Sequence, residues 1–595
     1  MFKGEADLFQ SFEETASPEQ GPARLEALRA AMAAAGVDAF LVPRADAHQG
    51  EYVSAHDERL AWLTGFTGSA GWCVALADRA GVFVDGRYRV QVRAQVADVF
   101  EPVDWPEVSL GDWIAEALPK GIVGFDPWLL SLDQHRALAK KLPDRELRAL
   151  DNLVDQVWQD QPAPPLGEIF VQPLDLAGEA HGEKIDRISQ SLTADAAIIT
   201  LPDSIAWLLN IRGSDIPRNP VPHGFAILHR DGRVSLFCAA EKLVGLGDHF
   251  GPKVSVAPVE GFLNAVQALE GRVQIDPATC PMAVAALLND PHEAQDPILL
   301  PKARKNAAEL EGSRQAHLRD GAAIVRFLAW LDAQPVGSLT EIDVVKQLEG
   351  ERRATNALRD ISFETISGAG PNGAIVHYRV TEKTNRKVED NQLLLVDSGG
   401  QYVDGTTDIT RTIAIGSPGA EEQRAFTLVL KGMIAISRLR FPKGLAGADL
   451  DALARVALWQ EGMDYGHGTG HGVGAYLSVH EGPQRLARTG KVPFEPGMII
   501  SNEPGFYKEG AFGIRIENLI AVEEAPALPG QSVPQMYRFE TLTWVPIDLR
   551  LIDADLLTEA ERDWLNTYHA EVAARISPLV EGGAKDWLSQ ACRAI

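Results

Sequence analysis

The chain has 595 residues, more than one hydrophobic core usually supports, so two to four domains are expected. Its 82 acidic residues outnumber 56 Lys plus Arg, a net charge of −26 that disfavours nucleic acid and anionic membrane surfaces as partners. Cys73, Cys238, Cys280 and Cys592 are far apart and form no paired or metal-binding spacing, which points to reduced thiols and a cytoplasmic setting.

The first residues, Met1 to Asp7, lack the apolar core of a secretion signal. No stretch reaches the roughly 18 consecutive apolar residues of a membrane helix. A soluble, cytoplasmic protein is therefore expected. A helix around Leu25–Ala35 leads through Gly36 into the apolar strand Ala39-Phe40-Leu41-Val42. The next region, Leu60 to Gly71 and then Gly81 to Tyr88, reads as strand-rich, and the sum is an α/β layer. The charged run His56-Asp57-Glu58-Arg59 is expected to be a solvated loop, with reach toward a neighbouring site as the alternative. Gln161-Pro162-Ala163-Pro164-Pro165 breaks the pattern and marks a boundary.

Beyond it Ala196–Leu201, Ile205–Gly213 and Phe225–Leu236 echo the earlier strands, with Trp207 in the place of Trp62. Two copies of one α/β unit, residues 1–158 and 159–304, are expected, neither with clustered ligand residues. The third domain, 305–595, opens on a helical stripe that includes Leu310, Ile324, Phe327, Leu328 and Leu331. Ser338 and Glu341 are spaced as a capping box for a second helix carrying Val344, Val345 and Leu348. Further helices are expected around Glu421–Leu439, Asp449–Glu461, Ala560–Ala573 and Lys585–Arg593, the last two as a C-terminal appendage.

The chemistry concentrates between these helices. Leu393-Leu394-Leu395-Val396 is a buried-strand run that ends on Asp397 before two glycines, and Asp408 returns eleven residues later, so the two acids can face each other across a hairpin. Met498 to Asn502 ends likewise on Glu503 before Pro504-Gly505, and Glu517 returns fourteen residues on. Carboxylates that close repel unless protonated or bridged by cations. With His471 they make a set of four carboxylates and one imidazole, which balances two divalent cations and favours hard or borderline metals such as Mn²⁺. Such a pair activates a bridging water and polarises a carbonyl, so hydrolysis is implied. The run His467-Gly-Thr-Gly-His471-Gly-Val-Gly474 lacks the Lys-Ser/Thr of a phosphate loop. Its glycines are read as letting the backbone approach the metals.

The order Asp397, Asp408, His471, Glu503, Glu517, with spacings of 11, 63, 32 and 14 residues, resembles the dinuclear site of the pita-bread metallopeptidases. Asp-Ser-Gly-Gly-Gln-Tyr, Asp-Gly-Thr-Thr-Asp-Ile-Thr-Arg-Thr and Gly-Ile-Arg-Ile-Glu-Asn resemble, within that family, the three-domain Xaa-Pro aminopeptidases. The resemblance is strongest over residues 300–570. It implies two related N-terminal α/β domains that shape the entrance and support a homodimer, then a pita-bread catalytic domain. The reaction it implies is hydrolysis between an N-terminal residue and a penultimate proline, by a hydroxide bridging two divalent ions, Mn²⁺ first with Co²⁺ or Zn²⁺ as alternatives.

By the same resemblance Glu503 is the proton shuttle as well as a ligand. His377 and His480 hydrogen-bond the substrate carbonyl, and His467 joins them in the pocket. Arg515 shares a strand face with Glu517 and is assigned to substrate binding and to orienting acidic groups. Prolidase uses the same ligands but usually has one N-terminal domain, and methionine aminopeptidase is shorter. Relatives that act as binding modules or metal-free creatine hydrolases have lost the ligands present here.

Overall fold

The computed structural model describes residues 8–595. The described residues divide into two compact units, Thr15–Lys302 and a second made of Ala303–Ile595 with the segment ending at Glu14.

Thr15–Lys302 holds two six-stranded sheets of one topology. In the first the spatial order is Glu101–Asp104, Ala80–Val84, Trp72–Leu76, Ala39–Pro43, Gly121–Phe125, Arg145–Ala149. In the second it is Val254–Ala257, Val234–Phe237, Phe225–His229, Ala196–Ile199, Val273–Ile275, His292–Glu293. In each sheet the strand earliest in the chain lies in fourth place, antiparallel to the third and parallel to the fifth. The all-apolar run Ala39–Pro43 is buried on both faces, as a strand between helical layers must be. Side-chain alternation splits it between two cores. Phe40 and Val42 pack with Leu25, Leu28 and Met32 of the helix Gly21–Ala35, while Ala39 and Leu41 pack with Trp113 and Leu138 on the other face.

Two segments read as strands are helices, Arg59–Thr64 and Pro202–Leu209. A short apolar run does not by itself separate a strand from a buried helix. Here the deciding features are local: Pro202 opens the second helix, and Gly65 and Asn210 close the two in the left-handed region, at φ 86° and 49°. Trp62 and Trp207 occupy matching places in these helices. The charged run before Trp62 is also not a solvated loop, because Asp57 and Arg59 are buried.

In the second unit the helix Ala307–Asp332 starts where Asn306 accepts from Ala308 N and Glu309 N and Glu309 accepts from Asn306 N. Its residues Ile324, Phe327, Leu328 and Leu331 face Leu394, Val396 and Ile413 of the sheet below. The next helix, Glu341–Arg353, is capped by Thr340 with Asp343 rather than by Ser338 with Glu341. Glu341 is drawn inward instead, where it accepts from Ala369 N, Arg386 N, Tyr378 Oη and Asn372 Nδ2 and so ties down the segment that carries His377.

The strand Gln392–Ser398 runs between Ile366–Ala369 and Ile409–Ile415. A six-stranded sheet follows in the order Arg440–Pro442, Met536–Thr541, Asn518–Glu524, Ile499–Asn502, Gly470–Gly472, Glu481–Leu486. The helices Ala420–Ser437 and Gly447–Trp459 cross closely, since a Cβ on Gly432 would lie 2.1 Å from the Ala454 carbonyl oxygen. The terminal helices Glu559–Ile576 and Gly582–Ala591 are not an appendage. Leu565, Val572, Ile576 and Leu588 are fully buried in one core with Leu393, Val429, Met433 and Ile514, and each such side chain contributes about 1.5–3 kcal/mol.

Gly432→Ala is expected to destabilise this unit by about 1–3 kcal/mol through overpacking. A lower urea midpoint for its unfolding is the check; an unchanged midpoint would mean that the two helices are free to part.

Candidate metal centre

Two hairpins of the same plan build the centre. In the first, Ser398 pairs with Ile409 and Asp397 with Thr410, so Asp408 stands one residue outside the paired strand and on the face shared by Asp397 and Thr410. In the second, Asn502 pairs with Asn518, which brings Glu503 and Glu517 opposite each other just beyond the pairing. Each connection is itself a small hairpin, Gly400–Tyr402 with Gly405–Thr406 and Gly505–Lys508 with Phe512–Arg515. His471 sits on the short strand Gly470–Gly472 beside Ile499–Asn502.

The donor atoms converge. Asp397, Asp408 and Glu517 each offer an oxygen within 4.8 Å of the others, as do the donors of His471, Glu503 and Glu517, and the two groups share Glu517. His471 Nε2 lies 3.5 Å from Asp408 Oδ2 and 3.4 Å from Glu503 Oε1. That is the spacing of donors each about 2.1 Å from one ion. Its Nδ1–H donates to the Gly472 carbonyl at 2.9 Å, which fixes the tautomer and leaves Nε2 free to ligate. Asp408, His471 and His480 form a third overlapping group, with the two imidazole centroids 4.3 Å apart.

A second layer orients the ligands. Thr410 Oγ1 donates to Glu517 Oε2 at 2.8 Å, and Ser501 Oγ donates to Glu503 Oε1 at 3.0 Å. Arg515, buried, donates from Nη2 and Nε to Asp397 Oδ2 at 2.5 and 3.2 Å and from Nη1 to Tyr507 Oη at 2.6 Å. Tyr507 in turn bonds His467 Nε2 at 2.9 Å, while His467 Nδ1–H donates to the Gly468 carbonyl. Burial holds the Tyr507 phenol up at about 12, so it remains a donor. The turn Gly370–Ala374, which leads to His377, lies backbone against backbone on the strand Phe512–Arg515. A Cβ at Gly513 would meet the Gly373 carbonyl oxygen at 1.7 Å, and only glycine permits that approach.

Five of the expected residues therefore meet, with His480 against them. His467 joins through Tyr507, and His377 lies three residues beyond the turn packed against the strand that leads to Glu517. Tyr507 and Thr410 carry no motif signal of their own, although Thr410 is two residues from Asp408 and alternation places both on one face.

The electrostatics ask for cations. Burial raises the carboxyls of Asp397, Glu503 and Glu517, helped by the neighbouring Asp408 and opposed by Arg515 at Asp397 and by His471 at Glu503. Burial disfavours a charged His471, but Asp408 and Glu503 overcome it and raise the imidazole to about 9. Asp397 Oδ1 and Glu517 Oε1 are buried and receive no hydrogen bond from any described residue. A buried carboxylate oxygen without a partner is costly, and a divalent ion removes that cost. The donor set, all oxygen and imidazole, fits two hard or borderline ions.

Comparison with known proteins agrees with this geometry. Residues 311–524 match the model of metallopeptidase family M24, and residues 535–595 its C-terminal region. Residues 24–157 and 160–309 each match a creatinase/prolidase N-terminal domain. Aminopeptidase P2 of Arabidopsis thaliana is 40% identical over 93% of this chain and 85% of its own length. A probable Xaa-Pro aminopeptidase P of Laccaria bicolor is 39% identical over 96% and 93%. The crystal structure of the X-prolyl aminopeptidase from Caenorhabditis elegans, described as a cytosolic enzyme with a di-nuclear active site, superposes with a TM-score of 0.91 at 34% identity, covering 97% of this chain and all of that one. The fold is that of an M24 metallopeptidase with two creatinase-type N-terminal domains. Within that class the chain belongs to the aminopeptidase P family.

Because three carboxyls and His471 are shifted toward their protonated forms, metal must displace protons, and affinity should rise with pH up to about 9. Titrating Mn²⁺ into metal-free protein at pH 7 in two buffers of different ionisation enthalpy should show at least one proton released per chain. Equal heats in both would contradict the assignment.

Proposed function

We propose that the chain is a metal-dependent aminopeptidase that removes the N-terminal residue from peptides with proline second. The observation that carries this reading is the convergence of Asp397, Asp408, His471, Glu503 and Glu517, two of them with buried oxygens that no described residue satisfies. The relatives' names supply the proline specificity. Those five residues hold two divalent cations, Mn²⁺ first, with Co²⁺ or Zn²⁺ as substitutes. When bound, the ions lower the pKa of water and polarise the carbonyl of the first residue.

The chain's own residues do the rest. Glu503 is the proton carrier from the attacking water to the leaving proline nitrogen; its buried carboxyl, raised above the exposed range, is suited to holding a proton. His480, beside His471, and His377 donate to the oxygen that gains charge as the carbonyl turns tetrahedral. His467 acts in the pocket through Tyr507. Arg515 acts on the substrate through the groups it holds, Asp397 and Tyr507, and so is a positioning residue. A cytoplasmic homodimer completes the proposal. Among the described residues no helix is long and apolar enough to cross a membrane, and the worm relative is described as cytosolic.

Metal-free protein titrated with Mn²⁺ should release only the first residue from Arg-Pro-Pro, read by mass spectrometry. Asp408→Ala should lower kcat/KM at least a hundredfold, since it removes a ligand. Cleavage confined to Ala-Pro would make the protein a dipeptidase, and release of methionine from Met-Ala-Ser would contradict the proline requirement.

A further inference from the structure

The unit Thr15–Lys302 carries a gathering of ligand-type side chains that its sequence does not announce. Asp46, Asp57 and His223 each present a donor atom within 4.8 Å of the others. Asp46 and Asp57 follow the first strand of the first α/β copy, and His223 precedes the strand Phe225–His229 of the second. Neither copy supplies all three donors, so the gathering forms only where the two meet.

The donors are held from behind. Asp46 Oδ1 accepts from His48 N at 2.9 Å and Gly50 N at 3.0 Å, which turns Oδ2 toward His223. Asp57 accepts from Ser54 Oγ at 2.7 Å and from Arg59 Nη1 at 2.8 Å. Each of its oxygens keeps a further lone pair. His223 is anchored through its backbone, N–H donating to Asp215 Oδ2 at 2.6 Å, and Lys242 Nζ bonds that same oxygen at 2.7 Å.

Asp46 Oδ2 is the atom that needs explaining. The residue is 1% exposed, and this oxygen receives no hydrogen bond from any described residue, although His223 Nε2 lies only 3.3 Å away. Two donors that close yet not aligned as donor and acceptor have the arrangement of two ligands aimed at a shared ion rather than at each other.

Charge points the same way. Arg59 is shared between Asp57 and Asp155, so Asp57 has only part of one guanidinium to balance it. His48 turns away from the cluster, its Nδ1–H donating to the Thr200 carbonyl at 3.0 Å. Two carboxylates and one imidazole suit a borderline divalent ion whose remaining positions take water.

We propose that Asp46, Asp57 and His223 bind a divalent cation, a third per chain, that clamps the first α/β copy to the second. The site lies in the other compact unit from the five-residue centre and uses none of its ligands.

The test is metal content of the full-length protein, stripped with a chelator, dialysed against Zn²⁺ and counted per chain by mass spectrometry. Wild type should hold three ions, His223→Ala two, and the double variant Asp408→Asn/His471→Ala one. Wild-type crystals soaked in Zn²⁺ should give an anomalous peak between Asp46 Oδ2 and His223 Nε2, a result that does not depend on any variant folding. Equal counts in wild type and His223→Ala, with no anomalous peak at the cluster, would overturn the proposal and leave Asp46 and His223 as a close pair without an ion. If the five-residue reading alone were wrong, wild type would hold one ion and His223→Ala none.

Discussion

Four carboxylates within reach of one another, three buried and Glu503 half-buried, are the constraint around which the Ala303–Ile595 unit is arranged. Left bare, each raises the cost of ionising the next, and burial adds to it, which is why Asp397, Glu503 and Glu517 are all pushed toward their acid forms. Among the described residues the cationic groups beside these carboxylates are Arg515, at Asp397, and His471, between Asp408 and Glu503. Two divalent cations would complete the balance. The cost of the site and its chemistry have one origin.

The surrounding fold acts to keep those oxygens from relaxing apart. The duplicated hairpins deliver two acids each from strand ends, so the sheet's hydrogen bonds fix the Cα positions. Thr410, Ser501 and Arg515 then fix the carboxylate rotations. Beneath them lies a core to which the last helices contribute, with Leu565, Ile576 and Leu588 against Leu393 and Ile514. Glu341 ties down the segment 369–386, which it binds from several sides.

How much of this was legible in the sequence follows from distance along the chain. Asp397 and Glu503 stand at the ends of apolar runs, and their partners return within one hairpin, so local periodicity reveals them. His471 lies among glycines that mark close backbone approach. Tyr507 gave no signal, because its role depends on the pairing of Gly505–Lys508 with Phe512–Arg515 and on His467 arriving from another segment. The helices at Trp62 and Trp207 were misread because an apolar run of five or six residues satisfies both periods. The capping residue of Glu341–Arg353 was misplaced because Glu341 is spent on long-range bonds that sequence spacing does not show. The cluster of Asp46, Asp57 and His223 joins segments about 170 residues apart and matches no motif.

The central claim, that the carboxylate cluster is strained without cations and satisfied with them, makes opposite demands on a single substitution. Glu517→Gln imitates the protonated acid and keeps an oxygen for the Thr410 hydroxyl. Thermal unfolding of Glu517→Gln and wild type should be measured metal-free and with saturating Mn²⁺. The account predicts a metal-free midpoint equal to or above wild type and a metal-loaded midpoint below it. A variant that is less stable by the same amount in both conditions would show that Glu517 is an ordinary buried hydrogen-bond partner, and would contradict the account.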